Sequence, residues 1–177
     1  MNTKMSTKTS LTLAASLSLL LSACATTPAY ELRAEAAMAP RSGSTVGGVV
    51  SFTQSGDSLR FEANITGLKP GEHGFHIHES GDCSAADASS AKGHYNPAGK
   101  PHGHHGGNER HAGDMVNLVA DAAGNAVLQG ELSQLSLVGK DGIIDRSVVI
   151  HADPDDYKSQ PAGNSGKRIA CGTIRPL

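Results

Sequence analysis

The chain has 177 residues, with 17 acidic side chains, 15 basic ones, nine histidines and three cysteines. That length suffices for one domain with a real core. A formal charge of −2, with no basic block and no interleaved aromatic-basic pattern, argues against a nucleic-acid partner, and no run of eighteen apolar residues is present to span a bilayer as a helix.

The chain opens on Lys4 and Lys8, followed by a short apolar stretch from Leu11 to Leu21 and then small residues. This order is that of an export signal. Its end, Leu21-Ser22-Ala23-Cys24, is similar to a bacterial lipobox, in which cleavage falls before the cysteine and the cysteine carries the lipid. The plainer alternative is an ordinary signal peptide cut at a nearby alanine, with Cys24 incidental. A diacylglycerol-type anchor supplies more than one acyl chain, which stable membrane attachment requires. Loss of residues 1–23 removes two lysines and no acid, taking the charge from −2 to −4. With Cys24 lipidated, Cys83 and Cys171 remain as one pair. A disulfide suits an exported protein; two buried free thiols are the alternative. Residues 24–43, rich in Ala, Pro, Ser and Thr, read as a flexible tether, with at most a short helical turn over 34–39.

From Thr45 the pattern changes to short strands. Val46–Thr53 is the first candidate. Leu59–Ile65 alternates apolar and polar residues, as a half-buried strand does. His73–Glu79, Met115–Ala120, Ala126–Leu132, Ser147–His151 and Arg168–Ile174 follow. Turn signals separate them, among them Ser55-Gly56-Asp57, Lys69-Pro70-Gly71, Ala123-Gly124-Asn125 and Lys140-Asp141-Gly142. The expected fold is all-β: a single-domain barrel or sandwich of about eight antiparallel strands. Two stretches, 80–114 and 152–167, are too long for hairpin loops and rich in Gly, Ser, Asp and Pro. Long loops in a compact domain tend to be functional or disordered. These two hold or adjoin most of the residues with ligand chemistry.

Gly74-Phe75-His76-Ile77-His78-Glu79 carries the most information. On a strand, His76 and His78 project from one face and offer two nitrogens to one transition metal. His94, His102, His111, Asp114 and His151 follow as further candidates. Imidazole suits both copper and zinc, and three nitrogens with one carboxylate suit tetrahedral zinc. His73 stands at an odd offset from His76, so a regular strand turns it away from the pair.

Taken with Gly81-Asp82-Cys83, Gly93-His94-Tyr95-Asn96-Pro97, Lys100-Pro101-His102-Gly103, Arg110-His111-Ala112-Gly113-Asp114, Val149-Ile150-His151-Ala152-Asp153 and Arg168-Ile169-Ala170-Cys171-Gly172, this stretch makes residues 44–177 resemble the bacterial copper/zinc superoxide dismutases. The resemblance implies a Greek-key barrel; that enzyme is a known example of sandwich architecture. It implies copper at His76, His78, His94 and His151, and zinc at His94, His102, His111 and Asp114, with His94 shared. Among His102, His104 and His105, only His102 keeps the family's spacing of eight residues from His94 and nine to His111. His105, followed by two glycines, is the weaker alternative for that zinc position; otherwise His104 and His105 are solvated loop residues. His73 would be structural, its ring bonded to backbone. Asp155 would bridge a copper histidine and a zinc histidine through their outer nitrogens, with Asp153 and Asp156 as close neighbours in a hydrophilic loop. Arg168 would bind the superoxide anion, and a Cys83–Cys171 link would clamp the zinc-loop segment onto the barrel. Lys158 and Lys167 are either guiding charges or solubility charges.

The expected activity is dismutation of superoxide in the periplasm or cell envelope, with copper and zinc ions as cofactors and a membrane anchor on Cys24. The resemblance admits a monomer or a homodimer. Two rival readings are a non-catalytic copper/zinc-binding envelope protein on the same scaffold and a structural lipoprotein with an inert sandwich. The full ligand set together with Arg168 favours turnover.

Overall fold

The computed structural model describes residues 1–2 and 30–177. Cys24 and, apart from residues 1–2, the expected export signal lie outside the described residues. Among the described residues nine strands form in chain order: β1 (Glu31–Pro40), β2 (Gly47–Ser55), β3 (Ser58–Thr66), β4 (Gly71–His73), β5 (Phe75–His78), β6 (Leu118–Ala120), β7 (Ala126–Leu132), β8 (Ser147–His151) and β9 (Arg168–Pro176). A single turn of 3₁₀ helix, Ser89–Ala91, interrupts the first long loop. No helix among the described residues is long and apolar enough to cross a membrane.

Seven strands make one curled antiparallel sheet in the order β5-β8-β9-β1-β2-β3-β7, and β4 pairs with β6 in a small second sheet. Gly74 alone separates β4 from β5, and a turn at 121–125 leads from β6 to β7, so the small sheet links the two ends of the large one. The all-β antiparallel barrel expected from the alternating pattern is the fold observed. Inward positions repeat with period two, as in β3, where Leu59, Phe61, Ala63 and Ile65 are buried and Arg60, Glu62 and Asn64 are exposed. They meet Phe52, Phe75, Ile77, Leu118, Ile150 and Ile174 in one core.

The tether expected over 24–43 is corrected over 31–40, where the chain is β1. Leu32, Ala34, Ala36 and Met38 turn inward, while Arg33, Glu35 and Ala37 turn outward. β1 sits between β2 and β9, with Ala34 opposite Phe52 and Ala36 opposite both Val50 and Ile174. Small residues there face large neighbours, a common way to fill a tapering barrel. Alanine is a weak strand former, so its packing rather than its propensity decides the conformation. A chain beginning at Ser42 would lose a central strand and expose the flanks of β2 and β9.

The single strand expected over 73–79 is two strands broken at Gly74. Its N–H donates to the Asp153 carbonyl and its carbonyl accepts from His151 N–H, both at 2.9 Å. A Cβ on Gly74 would stand 2.8 Å from the Ser165 side chain. Only a glycine lets the second long loop approach this closely. Met115–Asn117, expected as strand, instead leads from the loop into β6.

Candidate metal centre

β5 lies at the edge of the large sheet, and its free side is covered by the first long loop. Ile77 N–H donates to the Gly113 carbonyl at 2.9 Å, and Tyr95 N–H donates to the Ile77 carbonyl at 2.8 Å. Isolated bridges pair His78 with His94 and His76 with Asp114. Backbone pairing therefore delivers His94 and Asp114 to the strand that carries His76 and His78. His151 arrives on the other side, at the end of β8. The register between β8 and β9 slips at Ile150/His151, which sets His151 opposite Arg168. Bulges of this kind re-aim side chains beside functional sites.

Two groups of ligand atoms result, and His94 belongs to both: His76, His78, His94 and His151 in one, and His94, His102, His111 and Asp114 in the other. The atoms of each group lie within 4.8 Å of one another, and all seven residues are buried.

In the first group each ring has one nitrogen engaged and one free. His76 Nε2 lies 2.8 Å from Asp155 Oδ2, His78 Nδ1 is 2.9 Å from the Lys92 carbonyl, and His151 Nδ1 is 3.3 Å from the Gly166 carbonyl. The opposite nitrogens, His76 Nδ1, His78 Nε2, His94 Nε2 and His151 Nε2, are buried without a hydrogen-bond partner. Four orphaned lone pairs facing one another carry a cost unless a cation takes them. The outer bonds fix each tautomer, as outer partners of metal-binding histidines do. Burial holds His76 below its ordinary pKa despite Asp155, and takes His94 down to about 4 despite Asp114. It also puts His78 and His151 well below the ordinary value, with neighbouring imidazoles and Arg168 adding to the effect. Neutral imidazoles are the form that binds a transition metal.

The second group is built around one carboxylate oxygen. Asp114 Oδ2 is taken by the backbone N–H groups of His111 at 2.8 Å and Gly103 at 3.1 Å. Its Oδ1 faces His94 Nδ1 at 2.7 Å, His102 Nδ1 at 3.1 Å and His111 Nδ1 at 3.2 Å. Ligands about 2.0–2.1 Å from a tetrahedral zinc stand about 3.3 Å apart, so the last two separations match that polyhedron. Burial works against the charged form of His102, yet its hydrogen bonds to Asp114 and Asp155 outweigh this and raise it to about 9. Although burial opposes it, hydrogen bonds from His102, His111 and His94 keep Asp114 ionised far below the usual carboxylate range.

Asp155 ties the groups together. Its Oδ2 meets His76 Nε2 and its Oδ1 meets His102 Nε2, at 2.8 and 2.9 Å. Asn117 fixes it from behind: its Oδ1 accepts from Asp155 N–H at 2.9 Å and its Nδ2 donates to the Asp155 carbonyl at 3.1 Å. Gly163, at φ +65°, passes so close that any Cβ would run into the Asp155 carboxylate.

A family model described as copper/zinc superoxide dismutase (SODC) matches residues 46–174. The chain belongs to that family. It is 42% identical over 152 residues to a protein named extracellular superoxide dismutase [Cu-Zn] of Caenorhabditis elegans, covering 82% of this chain and 67% of that one. Among solved structures it is similar to the one titled as the clock protein EA4, with 41% identity and a TM-score of 0.75 over 82% of this chain and 94% of the other. Residues able to hold copper and zinc are thus present in a copper/zinc superoxide dismutase framework.

The seven candidate ligands all fall in the two groups. Neither His104 nor His105 does: His104 packs its ring on Tyr157 with centroids 4.7 Å apart, and His105 is half-buried. His73 is not a ligand; its two nitrogens each lie 2.8 Å from a carbonyl oxygen, of His151 and Lys69. Cys83 and Cys171 form a disulfide. It packs with Ala88, Ala91 and Val149 in a small separate cluster. Half-buried Arg168 donates from Nη1 to the Ala88 carbonyl at 2.7 Å, and it lines a depression with Ser42, Asp87, Ser89, Gly166 and Lys167. Desolvation lowers its pKa, and Asp87 opposes that.

Several supporting residues were not singled out in the sequence. Gln160 pairs its amide with both backbone groups of His102, accepting from N–H at 2.8 Å and donating to the carbonyl at 2.9 Å. Buried Arg110 donates to the carbonyls of His111 and Ala112. Asn117 acts similarly on Asp155. Arg110 and Gln160 lie in the ligand-bearing loops, where such residues are common, and Asn117 lies in a stretch expected as strand, so none was marked beforehand.

Proposed function

We propose that this protein dismutates superoxide to molecular oxygen and hydrogen peroxide, with copper held by His76, His78, His94 and His151 and zinc held by His94, His102, His111 and Asp114. The shared His94, with Nε2 turned to one group and Nδ1 to the other, carries this reading most strongly. Copper bound there would supply one-electron redox chemistry suited to superoxide, while zinc would supply fixed charge and no redox. The chain itself contributes positioning, anion attraction and protons. Arg168, opposite His151 at the rim, presents a permanent cation to an incoming monovalent anion. His94 Nε2, when not engaged with copper, would be the atom that holds a proton for the reduced product. Asp155 keeps His76 and His102 in their ligating tautomers. The second reading, a metal-storage protein on the same scaffold, predicts the same metal contents.

The export pattern at the N-terminus supports a periplasmic or envelope protein anchored through Cys24, and the relative named extracellular agrees with export. Fatty-acid labelling of the wild type and of Cys24→Ser tests the anchor; equal labelling contradicts it. For the activity, superoxide decay is followed with the protein loaded with copper and zinc, with copper alone, and metal-free. Acceleration that requires copper is expected, and it should weaken with ionic strength as the Arg168 field is screened. Full loading with both metals and no acceleration identifies a storage protein.

A further inference from the structure

The segment from Cys83 to Ala91 carries the rim on which Arg168 rests, and β1 ends directly beside it. Arg41, the first residue after β1, donates its backbone N–H to the Ile169 carbonyl at 2.8 Å. Its guanidinium then reaches across to the disulfide segment. Nε and Nη2 both donate to the Cys83 carbonyl, at 2.9 and 2.6 Å, and Nη1 donates to the Pro40 carbonyl at 2.7 Å. Ser42 N–H donates to the Ala86 carbonyl at 2.8 Å. Arg168 Nη1 donates to the Ala88 carbonyl at 2.7 Å. Three carbonyls within six residues thus take donors from outside the segment, two from the end of β1 and one from Arg168.

We propose that Arg41 is a positioning residue for Arg168, acting through the Cys83–Ala88 segment and not by contact with substrate. Cys83 is held twice. Its sulfur is bonded to Cys171 on β9, three residues beyond Arg168, and its carbonyl is gripped by Arg41 at the end of β1. The disulfide fixes one point of the segment and leaves it free to swing about that point. The planar fork of Arg41 and the Ser42 N–H remove that freedom, which places the Ala88 carbonyl where it orients the Arg168 guanidinium. A planar, always-charged fork suits this; a lysine keeps the charge and loses the fixed plane. The end of β1 is therefore part of the functional site.

This inference rests on the proposed placement of Arg168 beside copper, so the test separates the two. Azide serves as a small monovalent anion, titrated into copper- and zinc-loaded protein and followed by the visible absorption of Cu(II). Arg41→Ala is expected to weaken azide binding by about tenfold, in the range typical of outer residues that orient a metal site, and Arg41→Lys by less. In the Arg168→Ala background, Arg41→Ala is expected to add nothing, because it acts only through Arg168. Amide exchange over 84–88 in the metal-free protein should speed up in Arg41→Ala. A merely stabilising role would lower the melting temperature and leave azide affinity unchanged; that result overturns the proposal, as does full additivity with Arg168→Ala. If Arg168→Ala itself leaves azide affinity unchanged, the placement of Arg168 fails and this inference falls with it. Should Arg41→Ala not fold, Arg41→Lys and Arg41→Gln carry the same comparison.

Discussion

The two ligand groups share His94 but are built differently. In the first, three of four ligands stand on strands: His76 and His78 on β5 and His151 on β8. In the second, all four belong to the single loop segment 94–114. The first group contains no carboxylate, and its rings are neutral through burial. The second is organised by the Asp114 anion and holds a proton on His102. Sheet pairing fixes the backbone that carries three ligands of the first group. The second depends on hydrogen bonds that only converge because of Asp114, Asp155 and Gln160. On the proposed assignment, the strand-borne group would seat the metal that changes oxidation state, and the loop-borne group would gain order from its own ion.

The sharpest break in this comparison comes from His151→Ala. It should abolish copper binding and cut superoxide decay by more than about a hundredfold, beyond what the loss of an outer partner costs, while zinc stays bound and the melting temperature moves little. Metal analysis with a superoxide-decay assay reads both. Next is Asp155→Asn, which removes the anion shared by His76 and His102. Zinc affinity should fall about 10–100-fold, measured by competition with a chelator. Copper affinity should fall less, because β5 and β8 still hold its ligands.

Stability against pH sharpens the contrast in the metal-free protein. Folded His76, His78, His94 and His151 have lowered pKa values. Below about pH 6.5 the unfolded chain therefore binds more protons, and stability falls as pH falls. His102 is raised to about 9, so its contribution is complete below about pH 6.5 and is lost as pH rises through 9. Chemical denaturation should show a maximum near pH 6–7. Zinc replaces the His102 proton, so loading should flatten the alkaline limb; an unchanged limb would remove the distinction drawn between the groups. The smallest effect is expected from His104→Ala and His105→Ala, which should leave both metal contents at wild-type levels.

The residues that cluster in the two groups were legible because they are a matter of residue type and spacing. His76 and His78 alternate on a strand, and the resemblance placed His102, His111, Asp114 and His151 around them. β1 was not, although Leu32, Ala34, Ala36 and Met38 do alternate with Arg33 and Glu35. Alanine-rich composition masks a strand, because alanine fits any backbone and reveals its role only through large partners such as Phe52 and Ile174. The break at Gly74 and the clamps made by Arg41, Gln160 and Asn117 were equally hidden. They depend on which backbone groups two distant loops bring together, and no local pattern encodes that.

The assignment of each metal to its own group is tested most directly by anomalous diffraction from crystals of the copper- and zinc-loaded protein, with data on either side of each absorption edge. The copper peak should lie among His76 Nδ1, His78 Nε2, His94 Nε2 and His151 Nε2. The zinc peak should lie among the Nδ1 atoms of His94, His102 and His111 and Asp114 Oδ1. A zinc peak ligated by His105 in place of His102, or both metals in one group with the other empty, would contradict the account.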